Sequence, residues 1–222
     1  MPRDPTGLAE PTTRVLGALV RAALPARCPG CGRRAEPMCA ACAAGLRAAP
    51  RLAVPPGLAA CVAPFAYEGV ARELVARVKY RNQRAALPWL AGAMADALAT
   101  RTRVPPDAVV TWAPASASRR RARGFDHGEL LARAVGDRLG LPVAGLLLRA
   151  PGPAQTGRAR AERRPGPGLR ATPAANRLGS VVVVDDVLTT GATLAAAAAA
   201  LRRAGVGRVL AVTAAATPPP AW

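Results

Sequence analysis

The chain is almost without lysine: of 31 Lys and Arg residues, Lys79 is the only lysine. Histidine occurs once, at His127. Aromatic residues make up 3% of the 222 positions, which weighs against a platform that stacks successive bases of a single strand. No apolar run reaches the roughly 20 residues that cross a bilayer. The N-terminal stretch is broken by Arg14 and Arg21 and lacks the charged, apolar, small-residue order of a secretory leader. The expectation is a cytoplasmic protein with no membrane insertion and a short, frayed N-terminal helix. Two nucleotide signatures are missing too. There is no Gly-Lys-Ser/Thr loop, which excludes a Walker-type site. There is no G-x-G-x-x-G spacing, which excludes a dinucleotide fingerprint.

What is present is charge and small apolar bulk. The formal net charge is +18, and Ala, Val and Leu dominate a chain that is 51% hydrophobic. Such a composition can bury a sizeable core without disulfides. Part of the Arg excess matches the bias of a GC-rich coding sequence; the rest points to an anionic small substrate or to nucleic acid.

The most informative stretch is residues 181–205, VVVVDDVLTTGATLAAAAAALRRAG. Four β-branched residues suit a strand buried on both faces. Asp185 and Asp186 follow where that strand is expected to end. Thr189, Thr190, Gly191, Ala192 and Thr193 form a hydroxyl and glycine loop, and an Ala/Leu run of strong helix propensity comes next. Backbone N–H groups at a helix start attract an anion. Gly191 permits a tight turn. The two carboxylates suit sugar hydroxyls or a hard cation.

Cys28-Pro29-Gly30-Cys31 and Cys39-Ala40-Ala41-Cys42 form a CxxC…CxxC set. In a cytoplasmic chain four thiols at this spacing predict a structural Zn²⁺ site rather than two disulfides. Cys61 lies outside that pattern and is expected to be a buried strand residue. A Pro- and Arg-rich joint over residues 47–57 divides the chain. Residues 1–50 then hold the N-terminal helix and zinc ribbon, and residues 51–222 the main domain.

Along the main domain, strands are expected at residues 61–67, 108–112, 146–148, 181–184 and 208–213. Helices are expected at 68–81, 85–100, 128–140 and 194–204. Residues 151–172 read as a Pro-, Gly- and Arg-rich loop or hood. Alternation of this kind predicts a parallel sheet flanked by helices, with ligands beyond the carboxyl ends of the strands. A basic stretch follows the second strand. It contains Pro114, Arg119, Arg121 and Arg123, and its guanidinium groups beside Gly124 suit a pyrophosphate or form a solvated loop. His127 reads as a helix-start polar residue or as a base, and Lys79 as a phosphate contact or a surface lysine.

The 181–193 segment resembles the phosphoribosyl pyrophosphate signature of type I phosphoribosyltransferases. Most of the chain resembles the ComF family (competence protein F, or amidophosphoribosyltransferase-like proteins). The carriers are Cys28–Cys42, the Tyr67-Glu68-Gly69 to Lys79-Tyr80 segment and the stretch ending in Arg123-Gly124-Phe125. Gln155-Thr156-Gly157 and Arg160-Ala161-Glu162-Arg163 follow, and then the 181–193 loop. Here Asp126-His127 stands where that family has Asn-Gln. The resemblance implies a type I phosphoribosyltransferase fold with an N-terminal zinc ribbon. It implies Mg²⁺-dependent transfer of a phosphoribosyl group from phosphoribosyl pyrophosphate to an unidentified acceptor. Asp185 and Asp186 would hold the ribose hydroxyls, directly or through Mg²⁺, and Thr189–Thr193 the 5′-phosphate. Pro114, Arg119, Arg121 and Arg123 would border the pyrophosphate, with Lys79 nearby. The alternative is a DNA-uptake protein that binds single-stranded DNA and retains the pocket. A homodimer is expected by analogy with the fold.

Overall fold

The computed structural model describes residues 27–35, 37–80, 86–118, 121, 124–149 and 168–218. The expected N-terminal helix, Arg119, Arg123 and most of the expected hood lie outside the described residues. The elements in chain order are α1 (Ala40–Ala44), β1 (Ala60–Val62), β2 (Phe65–Ala66), α2 (Gly69–Tyr80) and α3 (Ala86–Arg101). Then come β3 (Val109–Trp112), α4 (His127–Leu139), β4 (Leu147–Arg149), β5 (Leu169–Ala171), β6 (Ser180–Leu188), α5 (Ala192–Arg203) and β7 (Arg208–Ala216).

The main sheet is parallel, in the order β1-β7-β6-β3, with β2 also paired to β7. β4 and β5 form a separate antiparallel pair. The expected parallel α/β sheet is therefore what the chain forms. Its centre is the pair β6 and β7, whose apolar runs read as strands covered on both faces. Alternation assigns the faces. Val182, Val184, Leu210 and Val212 pack against α2, α3 and α4. Val181, Val183, Val209 and Ala211 pack against α5. Small Ala residues on α5, with Ala197 and Ala198 fully buried, let that helix lie close to the sheet. Each fully buried Leu, such as Leu74, Leu90 or Leu201, contributes on the order of 2 kcal/mol.

The handedness of the crossovers places the site. The path from β1 to β3 runs across the sheet in one direction, and the path from β6 through α5 to β7 runs in the other. Right-handed crossovers in opposite directions put their helices on opposite faces, as the two cores require. The chain leaving β3 turns to the α4 face, whereas the chain leaving β6 turns to the α5 face. The crevice between the carboxyl ends of β3 and β6 is thus a topological switch point, where open α/β sheets bind ligands.

Three expectations are corrected. The strand carrying the VVVV run does not stop before the carboxylates. β6 continues to Leu188, with Asp185 opposite Thr213 and Val187 opposite Ala215, because β7 is long enough to pair with it throughout. The expected single strand over residues 61–67 is split between β1 and β2. Pro64 falls in the gap and has no N–H to give to a ladder. The expected loop at 151–172 contains β5, which pairs with β4 through Leu148 and Arg170; a three-residue strand between prolines carries too weak a pattern to read.

The cysteine segment is tied to the main domain by backbone bonds. Ala66 N donates to Arg47 O at 2.9 Å and Ala49 N to Pro64 O at 3.0 Å. Met38 and Leu46 pack onto the α2–α4 core.

Candidate functional site

The chain leaving β3 is held by one carboxylate. Asp126 caps α4: its Oδ1 accepts from Gly128 N at 3.0 Å, while its Oδ2 accepts from Ala115 N at 3.0 Å. The Arg149 guanidinium donates to Pro114 O at 3.3 Å. Pro114 is thereby fixed at the switch point. The capping role was open to sequence reasoning, since Asp immediately before an apolar-periodic run is a helix-start signal.

The loop leaving β6 is Thr189–Thr193. Thr189 and Thr190 are exposed. Gly191 takes φ 74° and starts α5, a conformation that disfavours side chains. Ala192 N donates to Thr190 Oγ1 at 3.4 Å. A small cleft of about 20 Å³ opens here, walled by Asp185, Thr189, Thr190, Gly191, Ala192 and Thr193. It joins one carboxylate to the amide end of a twelve-residue helix, which is an anion-binding arrangement. Behind it, a Cβ on Gly191 would lie 2.8 Å from Pro55 Cγ. Gly191→Ala is expected to cost about 1–3 kcal/mol, from the positive φ and the Pro55 overlap, measured by chemical denaturation.

The acidic pair is divided between the two sheet faces. Asp185 lines the cleft on the α5 side. Its Oδ1 accepts from Asp186 N at 2.8 Å. Burial, and then the charge of Asp186, push its carboxyl up to about 7. Asp186 faces α2 and α4. Its Oδ2 meets Lys79 Nζ at 2.9 Å and His127 Nε2 at 2.5 Å. Burial alone would raise Asp186, but the His127 hydrogen bond and the Lys79 charge outweigh it and hold the carboxyl below its usual value. Asp185 also acts backwards into the core: burial, and then its charge, push the Cys61 thiol up to about 11. Cys61 is buried in β1, as expected.

Sequence reasoning gave His127 its helix-start position but not its partner. The partner is 59 residues away, and no local pattern encodes it. Lys79 is in an ion pair rather than at the surface. Arg121 is exposed and makes no ion pair among the described residues.

The four cysteines form a second centre. The Sγ atoms of Cys28, Cys31, Cys39 and Cys42 lie within 4.8 Å of one another, and Cys31 Sγ is 3.6 Å from Cys39 Sγ. A tetrahedral Zn²⁺ with Zn–S bonds of about 2.3 Å needs sulfur–sulfur edges of roughly 3.8 Å, so the set fits a tetrathiolate metal. Cys39 N donates to Cys28 Sγ at 3.4 Å. Burial would raise the Cys28 thiol, but backbone N–H groups of Cys39, Cys31 and Gly30 pull it down to about 6. Burial, and then the neighbouring thiols, push Cys42 up to about 12. A Cβ on Gly30 would meet Cys42 Sγ at 2.8 Å, so the first CxxC turn must carry glycine there. The second pair is helical: Cys39 caps α1 and Cys42 lies within it.

Comparison with known proteins bears on the first centre. Residues 126–219 match the phosphoribosyl transferase domain family model. The match spans α4, β6, the Thr189–Thr193 loop, α5 and β7. Two solved structures are similar to the chain. One is the allosteric regulatory enzyme of purine biosynthesis, at 19% identity and TM-score 0.42, covering 66% of this chain and 30% of that one. The other is glutamine phosphoribosylpyrophosphate amidotransferase from B. subtilis, in complex with ADP and GMP. It is 18% identical at TM-score 0.41, covering 62% of this chain and 30% of that one. The chain thus spans about a third of the length of either protein. A sequence search of curated proteins finds no match. No described helix is long and apolar enough to cross a membrane.

Proposed function

We propose that the chain binds phosphoribosyl pyrophosphate, with Mg²⁺ as part of that substrate, and transfers the phosphoribosyl group to an acceptor. The observation that carries this reading is the shared cleft at the switch point, where Asp185 and the amide end of α5 face one small space. A 5′-phosphate suits the amides and hydroxyls of Thr189–Thr193. Asp185 and Asp186 suit the ribose hydroxyls, directly or through Mg²⁺ and its waters. Breaking the C1–pyrophosphate bond develops positive charge on the sugar and negative charge on the leaving group. The stretch after β3 carries Pro114, Arg119, Arg121 and Arg123 in sequence, and guanidinium groups of this kind suit a departing pyrophosphate.

The tetrathiolate centre is read as a structural zinc site, held by Cys28, Cys31, Cys39 and Cys42. Four thiolates leave no open position, so its chemistry is to fix the fold of residues 27–46. The arginines of this module, Arg27, Arg33 and Arg34, and those of the joint after it, Arg47 and Arg51, are exposed. On charge alone they favour, as a second reading, a single-stranded DNA partner.

The test is ligand-dependent stability. Phosphoribosyl pyrophosphate and Mg²⁺ together are expected to raise the melting temperature. At a hundredfold excess over Kd the gain is about 2.7 kcal/mol, or several degrees for a chain of this size. An unchanged melting temperature at millimolar ligand would remove the reading.

A further inference from the structure

Lys79 and His127 are the only lysine and the only histidine of the chain, and both converge on the same atom, Asp186 Oδ2. The three side chains come from α2, α4 and β6. Their exposures are 16% for Lys79, 10% for His127 and 16% for Asp186. We propose that Lys79 and His127 are positioning residues: they grip Asp186 by Oδ2 and aim its other oxygen, Oδ1, at a ribose hydroxyl of the sugar phosphate. This inference rests on the phosphate-site reading above.

Three observations support it. First, a cluster kept only for stability is weakly motivated, because buried ion pairs are often replaceable by apolar side chains at no loss. Second, arginine stands at every cationic position except this one. An ammonium is compact and can share one carboxylate oxygen with an imidazole, whereas a guanidinium is a wide planar fork that favours both oxygens at once. Lysine is therefore the cation that occupies Oδ2 and spares Oδ1. Third, all the contacts of Asp186's carboxylate among the described residues are made by Oδ2. The arrangement divides the acidic pair. Asp185 meets the ligand from the cleft on the α5 side. Asp186 meets it from the α2–α4 side, with its orientation imposed by Lys79 and His127.

The test uses the full chain with Mg²⁺ and calorimetric binding of four probes: inorganic phosphate, ribose 5-phosphate and its 2-deoxy and 3-deoxy analogues. The unsubstituted chain is expected to prefer ribose 5-phosphate about tenfold over at least one deoxy analogue, the worth of one good hydrogen bond. His127→Ala and Lys79→Met are each expected to erase that preference while leaving inorganic phosphate affinity within twofold. His127→Gln, which keeps an N–H donor at similar reach, is expected to restore it. Lys79→Arg is expected to behave like Lys79→Met. A merely structural role would lower affinity for all four probes together and would show no rescue by Gln. Circular dichroism identifies the variants that fold, and either position alone suffices for the comparison. Retention of the hydroxyl preference in folded His127→Ala or Lys79→Met would overturn the inference and leave the phosphate site standing. So would phosphate and sugar phosphate binding with no hydroxyl preference in the unsubstituted chain. Failure of the unsubstituted chain to bind any of the four would overturn both.

Discussion

Cys28→Ser is expected to strip the chain of its metal and to lower its melting temperature by about 10 °C or more. Cys28 is 2% exposed, and its sulfur receives the Cys39 N–H at 3.4 Å, so it sits at the inner corner of the tetrathiolate. Structural zinc contributes on the order of 10 kcal/mol to modules that cannot fold without it. Serine supplies a poor ligand and buries a hydroxyl where a thiolate stood. The damage would not stay local. Met38 and Leu46 leave the α2–α4 core when the module opens, and the joint beyond it carries Pro55, which backs Gly191 in the phosphate loop. Metal analysis should give one zinc per unsubstituted chain and well under half of that in the variant. Full metal content in Cys28→Ser would refute the assignment.

Asp185→Asn is expected to have two opposed effects. Binding of phosphoribosyl pyrophosphate with Mg²⁺ should fall about a hundredfold or more, because the carboxylate that lines the phosphate cleft is gone. Stability should rise, and only above acidic pH. The folded carboxyl is pushed up to about 7 by burial and then by Asp186, from an unfolded value of 3.8. Below pH 3.8 the group is protonated in both states and costs nothing. Between 3.8 and 7 the unfolded chain releases a proton that the folded chain keeps, so stability falls as pH rises; above 7 the loss is complete. Three pKa units bound the effect at about 4 kcal/mol, and solvent access at the cleft lowers it to roughly 1–2 kcal/mol. Asparagine removes this cost. The melting temperature of the variant should match that of the unsubstituted chain near pH 4 and exceed it by a few degrees at pH 8. Equal melting temperatures at both pH values would show that Asp185 carries no such strain.

The parts legible in the sequence are those encoded by local pattern. The VVVV run, the Thr-Thr-Gly loop and the Ala-rich helix follow from strand, turn and helix chemistry acting over a few residues, and they recur in β6 and α5 at the expected positions. The cysteine spacing likewise announced a compact four-sulfur cluster. What was hidden depends on pairing at long range. The extension of β6 through Asp185 and Asp186 is decided by β7, more than twenty residues away. The ion pair of Lys79 with Asp186 brings together residues over a hundred positions apart. β5 is visible only beside β4. A run of arginines does not say which of them meets a ligand, and Arg121 is exposed with no ion pair among the described residues.

The continuation of β6 past its apolar run makes the two carboxylates sensitive to parity. Neighbouring residues on a strand point to opposite sides, so sliding β6 by a single residue along β7 would swap the sheet faces that Asp185 and Asp186 occupy. Asp186 would then turn toward the α5 face, away from Lys79 and His127, and Asp185 toward the α2–α4 face. Identical side chains would survive such a shift unchanged in composition and reversed in duty. One inserted residue between Val181 and Val184 would therefore do more harm than several inserted in the loop.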